Sequence, residues 1–291
     1  MNRIFIIAAL LLTACGGQPA SSAGTTDSPV LASTTLLADI AQNAAGERFR
    51  VLSLLPIGAD PHSYQPAPQD VTKIAASRLL IVNGAGYERF LDALLESAGG
   101  KREIVVASSG LSSGLEADDP HFWLDPNNVI VYVENIREAL THLDPDGAAE
   151  FKSNADAYVA KLKALDAWIV EQVQQIPPEK RLLVTNHESL GYFAERYGFT
   201  VVGSVLESFS ADASPSARQM AALIDEIKAA NAPAIFLDAG DNPALAQQIA
   251  DETGVRVVAD LHLESLTDGA PAATYIDMMK YNVTQIVDAL K

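Results

Sequence analysis

Residues 145–178 read PDGAAEFKSNADAYVAKLKALDAWIVEQVQQIPP, and this stretch decides the architecture. Asp144 supplies an N-cap oxygen, and Pro145 takes the first helical position, where a missing N–H costs nothing. Pro177-Pro178 ends the helix, because proline lacks the donor and clashes with the preceding turn. Between these signals Phe151, Ala155, Tyr158, Leu162, Leu165 and Ile169 recur at spacings of three and four, which is one apolar stripe of an α-helix. About 32 residues at ~1.5 Å each give a rod of roughly 48 Å, longer than one small domain. The stripe would lie across two bodies, and a rod of this kind is a stiff connector. Limited closure of one body on the other is expected.

Short β-rich runs alternate with helical patterns on both sides of the rod. Before it, strands are expected at Val30–Thr35, Phe49–Leu55, Leu79–Val82 and Glu103–Ala107. Helices are expected at Leu36–Ala45, Gln69–Ser77 and Tyr87–Ala98, with Asn128–Leu143 leading into the rod. After it, strands fall at Arg181–Thr185, Thr200–Val205, Ala234–Leu237 and Arg256–Asp260. Helices fall at Ser189–Tyr197, Pro215–Ala230, Asn242–Thr253 and Ala273–Leu290. Strands separated by helices of this length imply βαβ units and parallel sheets. The fold class is therefore α/β: two parallel-sheet βα lobes joined by a long rigid helix, with the site in the cleft between them. The lobes are placed at 30–143 and 179–291, with the linker helix at 144–178.

The N-terminus reads MNRIFIIAALLLTAC. Arg3 and the apolar run Ile4–Leu12 have the form of a secretory signal peptide, since nine residues cannot span a bilayer that needs about 20. Leu12-Thr13-Ala14-Cys15 resembles a bacterial lipobox, which implies removal of residues 1–14 and lipid on Cys15. Residues 16–29, GGQPASSAGTTDSP, cannot bury a core and read as a flexible tether. Nothing later in the chain reaches the length of a membrane span.

Composition narrows the chemistry. The chain carries 37 Asp and Glu against 20 Lys and Arg, a formal charge of −17, which excludes a nucleic-acid footprint. Cys15 is the only cysteine, so no intramolecular disulfide forms and no cysteine-based zinc knuckle exists. Any metal site must use His, Asp, Glu or backbone oxygen.

Ligands of open α/β sheets sit beyond the carboxyl ends of the strands. His62 follows the second strand in a loop shaped by Gly58, Pro61 and Pro66. His121 follows the fourth strand, and His187 follows the first strand of the second half. Three histidines thus face one cleft from two lobes. His142 lies near a helix C-terminus, where imidazole suits the dipole, and reads as structural. A closed tetrahedral site needs a fourth donor. Asp260, His262, Glu264 and Asp268, after the last strand, are the candidates, with Glu264 favoured on position.

GADPHSYQPAPQDV, DPHFWLDP, TNHESLGYFAERYGF and TYIDMMKYNV, taken in order, resemble the solute-binding receptors of bacterial zinc and manganese ABC importers. The resemblance covers residues 30–291. It implies metal ligands at His62, His121 and His187. The fourth family ligand, an Asp before Ser-Leu or Pro-Leu, falls on Glu264-Ser265-Leu266, one methylene longer, with Asp260 in reserve. It implies Zn²⁺ as the transported ion, with Mn²⁺ as the alternative. Manganese-type relatives usually carry Glu at the third position, where this chain has His187. The His-rich loop of many zinc-type relatives is absent before His121, where the text is only LSSGLEADDPH. An ABC permease, a divalent metal ion and the membrane, through the lipid anchor, are the implied partners of a monomer on the extracytoplasmic face. The rival class is a zinc hydrolase with three histidines and a catalytic water. It would need an open coordination position and a free base such as Glu188 or Glu264. No HExxH helix exists here, and a fourth protein ligand closes the site.

Overall fold

The computed structural model describes residues 30–112, 119–208 and 215–291. The expected signal peptide, Cys15 and the tether lie outside the described residues, as do residues 113–118 of the short stretch before His121. The first half is built from β1 (Val30–Ala32), α1 (Thr35–Ala45), β2 (Val51–Ser53), α2 (Pro68–Ala76), β3 (Leu79–Val82), α3 (Leu91–Ala98) and β4 (Glu103–Val106). Then come α4 (Pro126–Leu143) and α5 (Ala148–Val173). The second half has β5 (Leu182–Thr185), α6 (Gly191–Tyr197), β6 (Thr200–Ser204), α7 (Ala217–Ala230), β7 (Ala234–Asp238), α8 (Ala244–Thr253), β8 (Arg256–Leu261) and α9 (Tyr275–Leu290). The strand orders β2-β1-β3-β4 and β6-β5-β7-β8 match, and every pairing is parallel. The order reverses beside β1 and beside β5, so a crevice opens at the carboxyl ends of each sheet.

Alternation along the strands sorts side chains into layers. Val30 and Ala32 of β1 and Leu79 and Ile81 of β3 face a large central core, while Leu31, Leu80 and Val82 face a smaller one against α2 and α3. In the second sheet, Ala234 and Phe236 face the same central core, and Ile235 and Leu237 face α7 and α8. The central core therefore belongs to both lobes. The α5 stripe Phe151, Ala155, Tyr158, Leu162, Leu165 and Ile169 is buried in it, alongside α1, α4 and α9.

Two departures from the expected boundaries have physical causes. The rod does not start at Pro145: Pro145–Gly147 form a 3₁₀ turn, and the α-helix that follows has 26 residues, roughly 39 Å at ~1.5 Å each. The corner is tight because Asp144 accepts from both Arg48 Nε at 2.5 Å and Nη2 at 3.2 Å. A Cβ on Gly147 would stand 2.5 Å from that Arg48 Nε, so a side chain cannot fit there. The second departure is at Tyr87, drawn above as the start of a helix that in fact begins at Leu91. Gly84, Ala85 and Gly86 have φ values of 90°, 51° and 73°, which turn the chain in the left-handed region and leave Tyr87 outside any helix. Among the described residues no helix is long and apolar enough to cross a membrane.

Candidate metal centre

Loops at four strand ends converge between the lobes. His62 lies beyond β2, His121 beyond β4, His187 beyond β5 and Glu264 beyond β8. Each offers one donor atom, and all four atoms lie within 4.8 Å of one another. Glu264 Oε1 is the common point: it lies 3.1 Å from His121 Nε2, 3.3 Å from His187 Nε2 and 3.6 Å from His62 Nε2. The His121 side chain is fully buried, and those of His187, His62 and Glu264 are 2%, 6% and 6% exposed.

Two of the loops are built alike. Asp60-Pro61-His62 and Asp119-Pro120-His121 each return an aspartate Oδ1 to the histidine backbone N–H, at 2.8 and 2.9 Å. The repeated D-P-H was in the sequence, but neither aspartate was singled out there. The two then differ. Asp119 Oδ1 also lies 2.8 Å from His121 Nδ1, which fixes the ring so that Nε2 points into the site. Asp60 instead takes the hydroxyl of Ser63 at 2.6 Å.

On the second lobe, Thr185 donates to the His187 carbonyl at 2.7 Å, which sets that turn. Asp238, the last residue of β7, holds the Glu264 turn: its Oδ2 accepts from the backbone N–H groups of Leu263 at 2.5 Å and Glu264 at 3.2 Å. Burial pushes the Asp238 carboxyl up to about 6, although the backbone N–H groups of Gly240 and Leu263 oppose it. Asp238 lies one residue past the strand expected at Ala234–Leu237, and nothing in the sequence pattern marks it. Tyr87, freed by the turn at Gly84–Gly86, donates its phenol to Glu264 Oε2. Burial and the neighbouring Glu264 carboxylate push the Tyr87 phenol well above its ordinary value, so it remains a donor.

Electrostatics inside the site are coupled. Burial disfavours charge on His121, yet Glu264 and Asp119 outweigh it and raise the imidazole to about 9. Burial likewise disfavours charge on Glu264, but the three surrounding imidazoles hold its carboxyl well below the usual range. His62 Nε2 and His187 Nδ1 are buried with no hydrogen-bond partner among the described residues. A lone pair buried without a partner is costly, and a cation at this point would satisfy His62 Nε2 directly.

The other candidates lie elsewhere. Asp260 is within β8, exposed, and accepts from Tyr281 at 2.8 Å, so it is not part of the cluster. His262 meets the Tyr281 ring at a tilt and lines the cleft, while Asp268 is exposed. His142 is 80% exposed and meets Glu103 at 2.8 Å, far from the chemistry. A cleft of about 590 Å³ reaches His187 and Glu264 and is lined by the Ile57–Asp60 loop, by Asp238–Asn242 and by Ser265–Thr267.

Comparison with known proteins identifies the family. The family model described as zinc-uptake complex component A, periplasmic, matches residues 30–289. The manganese-binding lipoprotein MntA of Halalkalibacterium halodurans is 34% identical over 292 residues, which is 99% of this chain and 97% of that one. The iron-binding protein YfeA of Yersinia pestis is 35% identical over 266 residues, 88% of this chain and 84% of its own. The periplasmic zinc binding protein TroA from Treponema pallidum superposes with a TM-score of 0.83 at 29% identity, covering 92% of this chain and 99% of that one. An Mn-bound periplasmic metal binding protein from Candidatus Liberibacter asiaticus gives a TM-score of 0.79 at 31% identity, covering 90% and 99%. The protein is a binding protein rather than an enzyme. With a family model spanning nearly all of the folded chain, it belongs to the periplasmic zinc-uptake component A family, the solute-binding receptors of metal ABC importers.

Proposed function

We propose that this receptor captures Zn²⁺ on His62, His121, His187 and Glu264 outside the cytoplasmic membrane and hands it to an ABC permease. The observation that carries the reading is the spacing around Glu264 Oε1. A tetrahedron of Zn–N and Zn–O bonds near 2.05 Å has edges of about 3.3 Å. The three Nε2 atoms stand 3.1, 3.3 and 3.6 Å from that oxygen. Three imidazoles and one carboxylate oxygen form a nitrogen-rich set, which Zn²⁺ accepts without geometric penalty and Mn²⁺ favours less. Manganese is the second reading, supported by the names of relatives such as MntA.

Capture from solution suits the electrostatics. The neighbouring cleft carries Asp60, Asp238 and Asp241, on a chain of net charge −17, so cations are drawn toward the mouth. Lipid on Cys15 and the tether to residue 29 would then keep the lobes at the membrane, and Cys15→Ala should release or leave unprocessed a protein that is otherwise membrane-bound.

The test is a titration of chelator-stripped protein with Zn²⁺ and Mn²⁺, followed by competition at equal concentrations. Zinc should displace manganese. If manganese holds against equimolar zinc, the second reading replaces the first. If neither ion binds, the receptor reading itself fails.

A further inference from the structure

Beside the four donors, at the mouth of the cleft, the two lobes are joined by hydroxyl groups. Ser265, the neighbour of Glu264, accepts at Oγ from the backbone N–H of Gly58 at 2.8 Å. Gly58 belongs to the loop that carries His62. The same Oγ lies 3.3 Å from Thr35 Oγ1, at the start of α1, and Thr35 Oγ1 accepts from Leu266 N–H at 3.0 Å. Ser265 also lies 3.1 Å from the Leu266 carbonyl as a donor. One proton arrangement satisfies all four contacts: Thr35 donates to Ser265, Ser265 donates to Leu266 O, and the Gly58 and Leu266 amides donate to the two hydroxyls. The partners are separated by 207, 230 and 231 positions in sequence, so no local propensity builds this group.

Two other cross-lobe bonds are of a different kind. Trp123 Nε1 donates to Leu263 O at 2.9 Å and Tyr275 donates to Trp123 O at 2.6 Å, both fully buried in the shared core. They fix the back of the cleft. The Gly58 contact, in contrast, is exposed to solvent. On the first-lobe side it is the His62 loop that this contact holds, and His62 Nε2 is the imidazole nitrogen farthest from Glu264 Oε1.

We propose that Ser265 and Thr35 are positioning residues that latch the His62 loop over the bound ion, so that the ion leaves by release of this loop rather than by parting of the lobes. The proposal rests on the receptor reading above and adds the exit step to it. Water competes for exposed hydrogen bonds at small net cost, whereas the buried core cannot open without exposing apolar surface. The loop is therefore the part of the site that opens most readily.

The experiment loads the parent, Ser265→Ala, Thr35→Val and Thr35→Ser with Zn²⁺ and follows dissociation into excess EDTA. Thr35→Val keeps the shape and removes the hydroxyl acceptor, and Thr35→Ser keeps the hydroxyl. Ser265→Ala and Thr35→Val should release zinc about tenfold faster, the range of changes seen when support around metal ligands is removed. Thr35→Ser should release it at close to the parental rate. Hydrogen exchange on the same loaded samples should rise over residues 56–64 in the two fast variants and stay unchanged over residues 119–124. Rates within twofold of the parent in both Ser265→Ala and Thr35→Val overturn the latch. So does acceleration accompanied by faster exchange over residues 119–124, which would mean that the lobes part. A parent that binds no zinc counts against the zinc reading, is seen before any chase begins, and sends the same chase to Mn²⁺-loaded samples; a parent that binds neither ion counts against the receptor reading.

Discussion

The phenol of Tyr87 engages Oε2 of Glu264, and the carboxylate is left to present Oε1 alone to the three imidazoles. A glutamate has the reach to bind an ion through both oxygens. Here the second oxygen already has a charge-assisted partner, and such bonds are worth about 1.5–3 kcal/mol. In the proposed site the donor count would thereby be held at four, which suits Zn²⁺ better than an ion that prefers more oxygen.

Tyr87→Phe should narrow the preference for zinc over manganese. Zinc affinity is expected to fall about tenfold as the carboxylate loses its support, and manganese affinity to fall less because both oxygens become free. Competition titration of parent and variant measures the ratio. An unchanged ratio would show that Tyr87 does not set denticity.

Proton release should accompany binding. His121 is raised to about 9 by Glu264 and Asp119 against the opposing effect of burial, so at neutral pH the metal-free pair is imidazolium and carboxylate. An incoming ion must expel that proton, and affinity should climb about tenfold per pH unit from neutral pH up to about 9. For the metal-free fold the sign is reversed: the raised pKa contributes stability that is complete below about 6.5 and is lost as pH rises through about 9. Calorimetry at pH 7.5 in two buffers of different ionisation enthalpy should find about one proton released per zinc. Buffer-independent heats would contradict the assignment.

Metal should stabilise the fold by mass action, by about 4 kcal/mol at free ion ~1,000-fold above Kd. His62→Ala, His121→Ala, His187→Ala and Glu264→Ala should each lose most of the zinc-dependent shift in Tm. Asp260→Ala and His142→Ala should keep it, because Asp260 is turned to Tyr281 and His142 to Glu103. A full shift in Glu264→Ala would remove it from the site.

Domain closure should be small. The lobes share one core through α1, α4, α5 and α9, and Trp123 and Tyr275 bond across its buried face. Solution scattering of metal-free and zinc-loaded protein should give nearly the same radius of gyration. A large compaction on loading would contradict the shared core as a constraint.

The three histidines were legible because each lies in a loop that follows a strand, and strands could be read from β-branched runs between turn residues. Glu264 stood out over Asp260 only through its place beyond the last strand and the Glu-Ser-Leu motif that follows the family pattern. What was not legible depends on where elements start and stop to within a few residues. Tyr87 was drawn inside a helix because Tyr87–Ala98 carries helical periodicity, and three consecutive positive φ values overrode it. Asp238 was placed one residue past its strand, so its grip on the Glu264 turn could not be seen. The Asp60 and Asp119 contacts were within reach, since the same D-P-H triplet occurs twice. The Thr35–Ser265 contact, by contrast, joins parts of the chain that only the tertiary fold brings together.

The position of α9 in the shared core bears on how the protein comes to be folded. This helix, the last of the described elements, places Tyr275, Met278, Met279, Val283, Ile286, Val287 and Leu290 into the core that β1, β3 and α1 also line. Its first residue also donates a bond to the opposite lobe, Tyr275 N–H to Asp39 Oδ2 at 2.9 Å. A chain threaded across a membrane from its N-terminus delivers the first lobe early but the residues that seal that lobe late. Domains commonly fold as they emerge, but here the first lobe must wait with its apolar face open until the other end arrives. For a chain exported in that order, the interval before α9 arrives would be a period of exposure to proteases and to aggregation.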